Sequence, residues 1–101
     1  MVETVTMSVS DIEAFALKAL IAAGTTEANA ASLARSVAAT EQDGIASHGL
    51  AYVPTYCLHV ECGKVDGAAV PELDVVRPGL AIADAKTGFA HPAIDLGFEW
   101  L

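Results

Sequence analysis

Among the side chains of this sequence, His48 is the one best suited to moving a proton, because the ordinary imidazole pKa of ~6.5 lets a histidine give or take one near neutrality. It stands in the run DGIASHGL, residues 43–50, directly after a long amphipathic pattern. A histidine at such a helix-to-loop junction can turn its ring toward a cleft instead of a core. Ser47 beside it can fix one ring nitrogen or cap a following turn, and Gly49, having no Cβ, lets a substrate or a tight backbone come close. If residues 48–52 form a helical turn, Tyr52 lies four positions from His48 on one face and lines the same pocket. The phenol can equally pack beside Tyr56. A lone histidine in this setting also serves as a satisfied structural residue, so the rest of the chain has to decide its role.

Other reactive side chains carry weaker signals. Cys57 and Cys62 match neither a CxxC nor a zinc-knuckle spacing, and on one helix they point in different directions. His59 and Cys62, three apart, can share a helix face, yet small buried thiols and a surface histidine explain them as well, so no metal is expected. In the run KTGFAHP, Gly88, Phe89 and His91 form a glycine-bearing segment ahead of a helix, with His91 a secondary site candidate or an exposed turn residue.

The elements that must hold these residues are readable from periodicity. A first helix opens at Ser10, with Glu13 as its capping-box partner, and places Ile12, Phe15, Ala16, Ala19, Leu20 and Ala23 at helical spacing. Gly24 closes it. Thr25 or Thr26 caps a second helix that runs to about residue 43 and carries Ala30, Leu33, Ala34, Val37 and Ala38 on one face. Pro54 disfavours a continuing helix and favours a new one over residues 55–62, closed by Gly63. Two strands follow, a β-branched one around residues 73–76 and a short buried one at 80–83, with Pro78 and Gly79 turning between them. A last helix starts at Pro92 and has no stop signal, so the pattern looks truncated.

Composition narrows the function classes. With 5 basic and 13 acidic residues the formal net charge is −8, which repels phosphate backbones and anionic membrane surfaces. Nucleic acid and membrane partners are therefore not expected. The longest apolar stretch, residues 14–24, is interrupted by Lys18 and falls short of the ~20 residues a bilayer crossing needs. The opening MVETVTMSV has no basic segment ahead of an apolar one, so a cytoplasmic location is expected.

The blocks taken in order, AG, a helix, DGIASHGL, P.Y, CGKVDG, a proline and ADAKTGFAHPAIDLG, resemble the amino-terminal portion of the malate/L-lactate dehydrogenase family. These are NAD(P)H-dependent 2-oxo-acid reductases and 2-hydroxy-acid dehydrogenases, unrelated to the Rossmann-fold lactate dehydrogenases. The resemblance implies an α/β (α+β) fold in which residues 1–101 are the amino-terminal portion and the nicotinamide-binding remainder is absent. It also implies that His48 is the catalytic proton donor to the substrate carbonyl, and the base in the reverse direction; Ser47, Gly49 and Tyr52 beside it are the expected substrate-binding residues. Many relatives carry arginine where Tyr52 stands, to grip the substrate carboxylate, and a second glycine where Ala90 stands.

The implied cofactor is NAD or NADP, bound mainly by residues beyond this chain; the implied substrate is a small 2-oxo or 2-hydroxy acid. A homo-oligomer or a complementing chain is the implied assembly. A catalytically inactive helical interaction module, the remnant of such an enzyme, is the alternative.

Overall fold

The computed structural model describes residues 6–101. Helix α1 (Val9–Ala23) and helix α2 (Glu27–Gln42) form an antiparallel pair, followed by two short 3₁₀ turns at Ala46–His48 and Leu50–Tyr52, and helix α3 (Val53–Glu61). Strands β1 (Glu72–Arg77) and β2 (Leu80–Asp84) make an antiparallel hairpin, and helix α4 (Ala90–Trp100) closes the described chain. The expected mixed α/β class is what these elements make.

The N-cap of helix α1 lies two residues before the expected Ser10. It is Ser8, whose Oγ accepts the Asp11 N–H at 3.1 Å, while Ser10 lies within the first turn and hydrogen-bonds Ser8 instead. The segment SVSDIE holds two overlapping Ser-x-x-acid signals, and the earlier one leaves fewer helix-end donors without partners. At the other end Gly24 takes φ 115°, a left-handed conformation that lets its N–H and that of Thr25 return to the carbonyls of Ile21 and Leu20. A side chain there would be strained.

The core lies between α1, α2 and α3. Ala16, Leu20, Ala30, Leu33, Ala34 and Val37 are at most 2% exposed. Val53, Tyr56 and Cys57 of the α3 region pack against them, and Phe89 reaches the core from the end of the loop between β2 and α4. The small residues of α2 let α1 approach closely, as their spacing predicts. Phe15 does not join them: it is exposed on the outer side of α1.

Polar ties complete the frame. The buried Asn29 amide donates to the carbonyls of Gly67 (3.0 Å) and Ala69 (2.7 Å), pinning the α3-to-β1 loop over the start of α2. Ser32 donates to Asp95 at 2.6 Å, and Arg35 reaches the same carboxylate oxygen at 3.1 Å, so α4 is fastened to α2. Helix α4 begins at Ala90 rather than Pro92, which takes its third position. Proline is tolerated there because first-turn N–H groups have no intrahelical acceptor.

The hairpin departs from the expected burial. Leu73 pairs with Ala83 and Val75 with Ala81, with an irregularity between Val75 and Arg77. Yet Ile82 is 56% exposed, because only α4 covers the hairpin and it covers one face.

Candidate functional site

The site loop leaves α2 through a short reversal. Gly44 N–H donates to Glu41 O at 3.0 Å and Ile45 N–H to Thr40 O at 3.1 Å, ending the helix and turning the chain back. The two 3₁₀ turns then carry the segment into α3. Val53 is buried in the core, and Pro54 sits in the first turn of α3, where its missing N–H costs nothing.

His48 is exposed at the end of the first 3₁₀ turn. Its Nδ1 lies 2.9 Å from Ser47 Oγ. With the serine oxygen as acceptor, Nδ1 keeps its hydrogen, and Nε2 becomes the nitrogen that exchanges a proton. The imidazole stacks on the Tyr52 ring with centroids 5.6 Å apart and planes 13° from parallel. Residues 48–52 do not form the single helical turn considered from sequence: Gly49, at ψ −134°, separates two 3₁₀ turns, and His48 meets Ser47 and Tyr52 across that break.

The packing reading of Tyr52 is realised, because the ring also meets Tyr56 edge-on with centroids 4.8 Å apart. Tyr56 in turn contacts Phe89 at 5.5 Å and His91 at 5.8 Å, again edge-on. A row of rings therefore runs from His48 through Tyr52 and Tyr56 to the start of α4. Burial pushes the Tyr56 phenol above its ordinary pKa, and the neighbouring Tyr52 adds to the shift.

His91 is half-buried against Tyr56, which corrects the exposed turn residue considered from sequence. Its Nδ1 is buried with no hydrogen-bond partner among the described residues. Burial lowers its pKa below the ordinary value, opposed by the Asp95 carboxylate. It joins the ring row at the far end from His48.

Gly49 is buried. Its backbone stands at φ −92° and ψ −134°, outside the helical and extended regions. A Cβ at this position would fall within the Glu41 side chain, which would have to move aside. Gly49 is therefore a packing position beneath the loop and not an open approach for substrate. Glu41, whose Oε1 accepts the Leu50 N–H at 2.7 Å, was not legible as a site residue, since nothing in its spacing from His48 marks the contact. Tyr56, four residues beyond Tyr52, was legible only as Tyr52's packing partner.

The remaining candidates lie apart. Cys57 and Cys62 are unpaired thiols, the first half-buried with Sγ directed at Ala19 O (3.7 Å) and the second at His59 O (3.6 Å). Burial raises the Cys57 pKa, helped by Glu61 and opposed by its backbone hydrogen bond. Among the described residues no three His, Cys, Asp or Glu side chains form a metal-holding group. No described helix is long and apolar enough to cross a membrane.

Ser47 and Tyr52, the side chains in contact with His48, are both neutral and offer a dinucleotide pyrophosphate no positive charge. The arrangement presents an exposed imidazole able to exchange a proton near neutrality.

The chain matches known proteins along nearly its whole length. The profile of the malate/L-lactate dehydrogenase family matches residues 7–101. A Delta(1)-pyrroline-2-carboxylate reductase of Ancylobacter novellus is 36% identical over 95 residues, covering 94% of this chain and 28% of the relative. A (2R)-3-sulfolactate dehydrogenase (NADP(+)) of Chromohalobacter salexigens is 37% identical over 93 residues, again 28% of its length. Among solved structures, a delta1-piperideine-2-carboxylate reductase from Pseudomonas syringae pv. tomato superposes with a TM-score of 0.92 at 33% identity, over 97% of this chain and 30% of that one. A malate dehydrogenase from Entamoeba histolytica shares the fold, with a TM-score of 0.85 at 23% identity. The chain thus spans less than a third of the length of these relatives. The family profile, the identities and the superposition cover the same helices, hairpin and SHG loop, and the chain belongs to the malate/L-lactate dehydrogenase family.

Proposed function

We propose that these residues form part of an NAD(P)-dependent oxidoreductase that reduces a small 2-oxo acid to the 2-hydroxy acid, or runs the reverse. His48 is the proton donor. The observation that carries this reading is the exposed imidazole whose Nδ1 is engaged by Ser47, which leaves Nε2 as the proton-exchanging atom. The nicotinamide supplies the hydride to the carbonyl carbon when bound. His48 Nε2–H meets the carbonyl oxygen and gives up its proton as negative charge develops there, while Nδ1–H stays on Ser47 Oγ throughout. In the reverse direction the neutral Nε2 takes the hydroxyl proton.

Tyr52 holds the imidazole plane by stacking and lines the pocket, where its phenol offers a carboxylate one neutral hydrogen bond. Ser47 and Tyr52 lack the charge for a pyrophosphate, so in this proposal the dinucleotide is held mainly by protein outside these 101 residues. The assembly that contains them is a homo-oligomer or a complex with a complementing chain, working in the cytoplasm. The relatives named above are enzymes, which leaves the inert interaction module without support.

The test is a panel of 2-oxo acids and cyclic imino acids offered to the assembled protein with NADH and with NADPH. The account expects cofactor oxidation with at least one 2-oxo acid. Oxidation with no 2-oxo acid of the panel, including oxidation with cyclic imino acids alone, would contradict it.

A further inference from the structure

The loop that carries His48 is exposed, yet a proton donor must be held to a fraction of an ångström, since a misplacement of about 1 Å costs roughly 10²-fold in rate. The 3₁₀ turns are too short to hold themselves. Something outside them must fix the loop, and the Ser47 contact acts on the ring only.

We propose that Glu41 is the positioning residue for His48, acting through the Gly49–Leu50 backbone. Glu41 lies in the last turn of α2 and is half-buried. Its Oε1 accepts the Leu50 N–H at 2.7 Å, bridging nine residues of sequence and closing residues 42–49 into a ring on the end of the helix. Leu50 opens the second 3₁₀ turn, so its N–H is one of the end groups that lack a backbone partner, and a carboxylate is a strong acceptor for it. The side chain also occupies the space beside buried Gly49 where a Cβ would stand. The peptide immediately after His48 is thereby held on two sides, by a charge-assisted hydrogen bond at Leu50 and by close packing at Gly49. Glycine at position 49 and a carboxylate at position 41 are consequently a matched pair.

This inference rests on the reading of His48 as proton donor, and the experiment separates the two. In the assembled reductase, Glu41→Ala is expected to lower kcat by ~10-fold or more with KM changed less than ~2-fold, because the loss falls on transition-state geometry. Glu41→Gln keeps an acceptor oxygen and is expected to recover kcat to within ~3-fold of the parent. In thermal melts of the chain, Gly49→Ala should lower Tm by ~4–8 °C when Glu41 is present and by less than half of that in the Glu41→Ala background, where the carboxylate no longer occupies the space.

Full kcat in Glu41→Ala alongside an inactive His48→Ala would overturn the positioning role and leave the proton donor standing. Additive losses of Tm would overturn the matched pair. A fully active His48→Ala would remove the proton-donor reading and the catalytic part of the proposal with it, while the melting cycle still decides whether Glu41 anchors the loop.

Discussion

The phenol of Tyr52 lies nearly parallel to the His48 ring, 5.6 Å between centroids, at a position where the family resemblance implies a guanidinium. The substitution of tyrosine for arginine exchanges a bidentate charged grip for a single neutral hydrogen bond. Tyr52→Arg is accordingly expected to lower KM for carboxylate-bearing substrates by ~5-fold, the equivalent of about 1 kcal/mol. Kinetics over a panel of 2-oxo acids checks this, and an unchanged KM throughout would place position 52 outside the pocket.

His91 supports a second expectation at this scale. Burial lowers its folded-state pKa below the ordinary 6.5. The unfolded chain therefore binds the proton first, and the stability contributed by neutral His91 is present above pH 6.5 and is lost as pH falls toward the lower folded value. His91→Gln should make stability less dependent on pH between about 7.5 and 5.5 than in the parent. Denaturant melts at the two pH values read it, and an identical dependence in the variant would refute it. Ser47 was legible beside His48 because the two are adjacent, and Tyr52 because it stands four positions on, although the contact forms across the break at Gly49 rather than along one helical turn. Glu41 was not, since its partner is a backbone N–H nine residues away.

Between β2 and α4, Lys86 and Thr87 both adopt left-handed backbone angles, φ 54° and 61°. The loop keeps this shape through the Asp66 N–H to Thr87 O bond at 3.0 Å and the Lys86 N–H to Asp84 bond at 2.9 Å. A β-branched residue in that region costs roughly 1–2 kcal/mol, and glycine would relieve it at an entropic cost of about 0.5–1 kcal/mol. Thr87→Gly is thus expected to raise Tm by a few degrees, about 0.5–1 kcal/mol. A lower Tm would show that Thr87 contributes more than it strains.

The helices were legible because small and apolar residues recur at helical spacing and glycines end them. The starts of α1 and α4 were misplaced by two residues, where overlapping serine caps and a proline tolerated anywhere in a first turn leave the position open, whereas α2 is capped by Thr26, one of the two threonines expected. Strand burial was not legible, because apolar alternation in β2 does not say which faces another element covers.

At the scale of the whole molecule, the described chain measures 56 × 29 × 19 Å, an elongated shape for its length. A cavity of ≈ 430 Å³ opens between the hairpin and α4, lined by Leu73, Ala81, Ala83, Ile94, Phe98 and Trp100 among others. Phe98 is 70% exposed. A two-stranded hairpin is marginal alone, and apolar surface of this extent favours association. The chain is therefore expected to run in size-exclusion chromatography with light scattering at a mass above that of the monomer. A well-behaved monomer would argue against association through this face.

The central claim is that His48 delivers the proton, and the turnover number of His48→Ala in the assembled reductase tests it most directly. The imidazole is exposed and meets Ser47 and Tyr52 of its own loop, so its loss should spare the fold. The account predicts a kcat lowered by ~10²-fold or more with an unchanged melting temperature. Full turnover in the folded variant would contradict it.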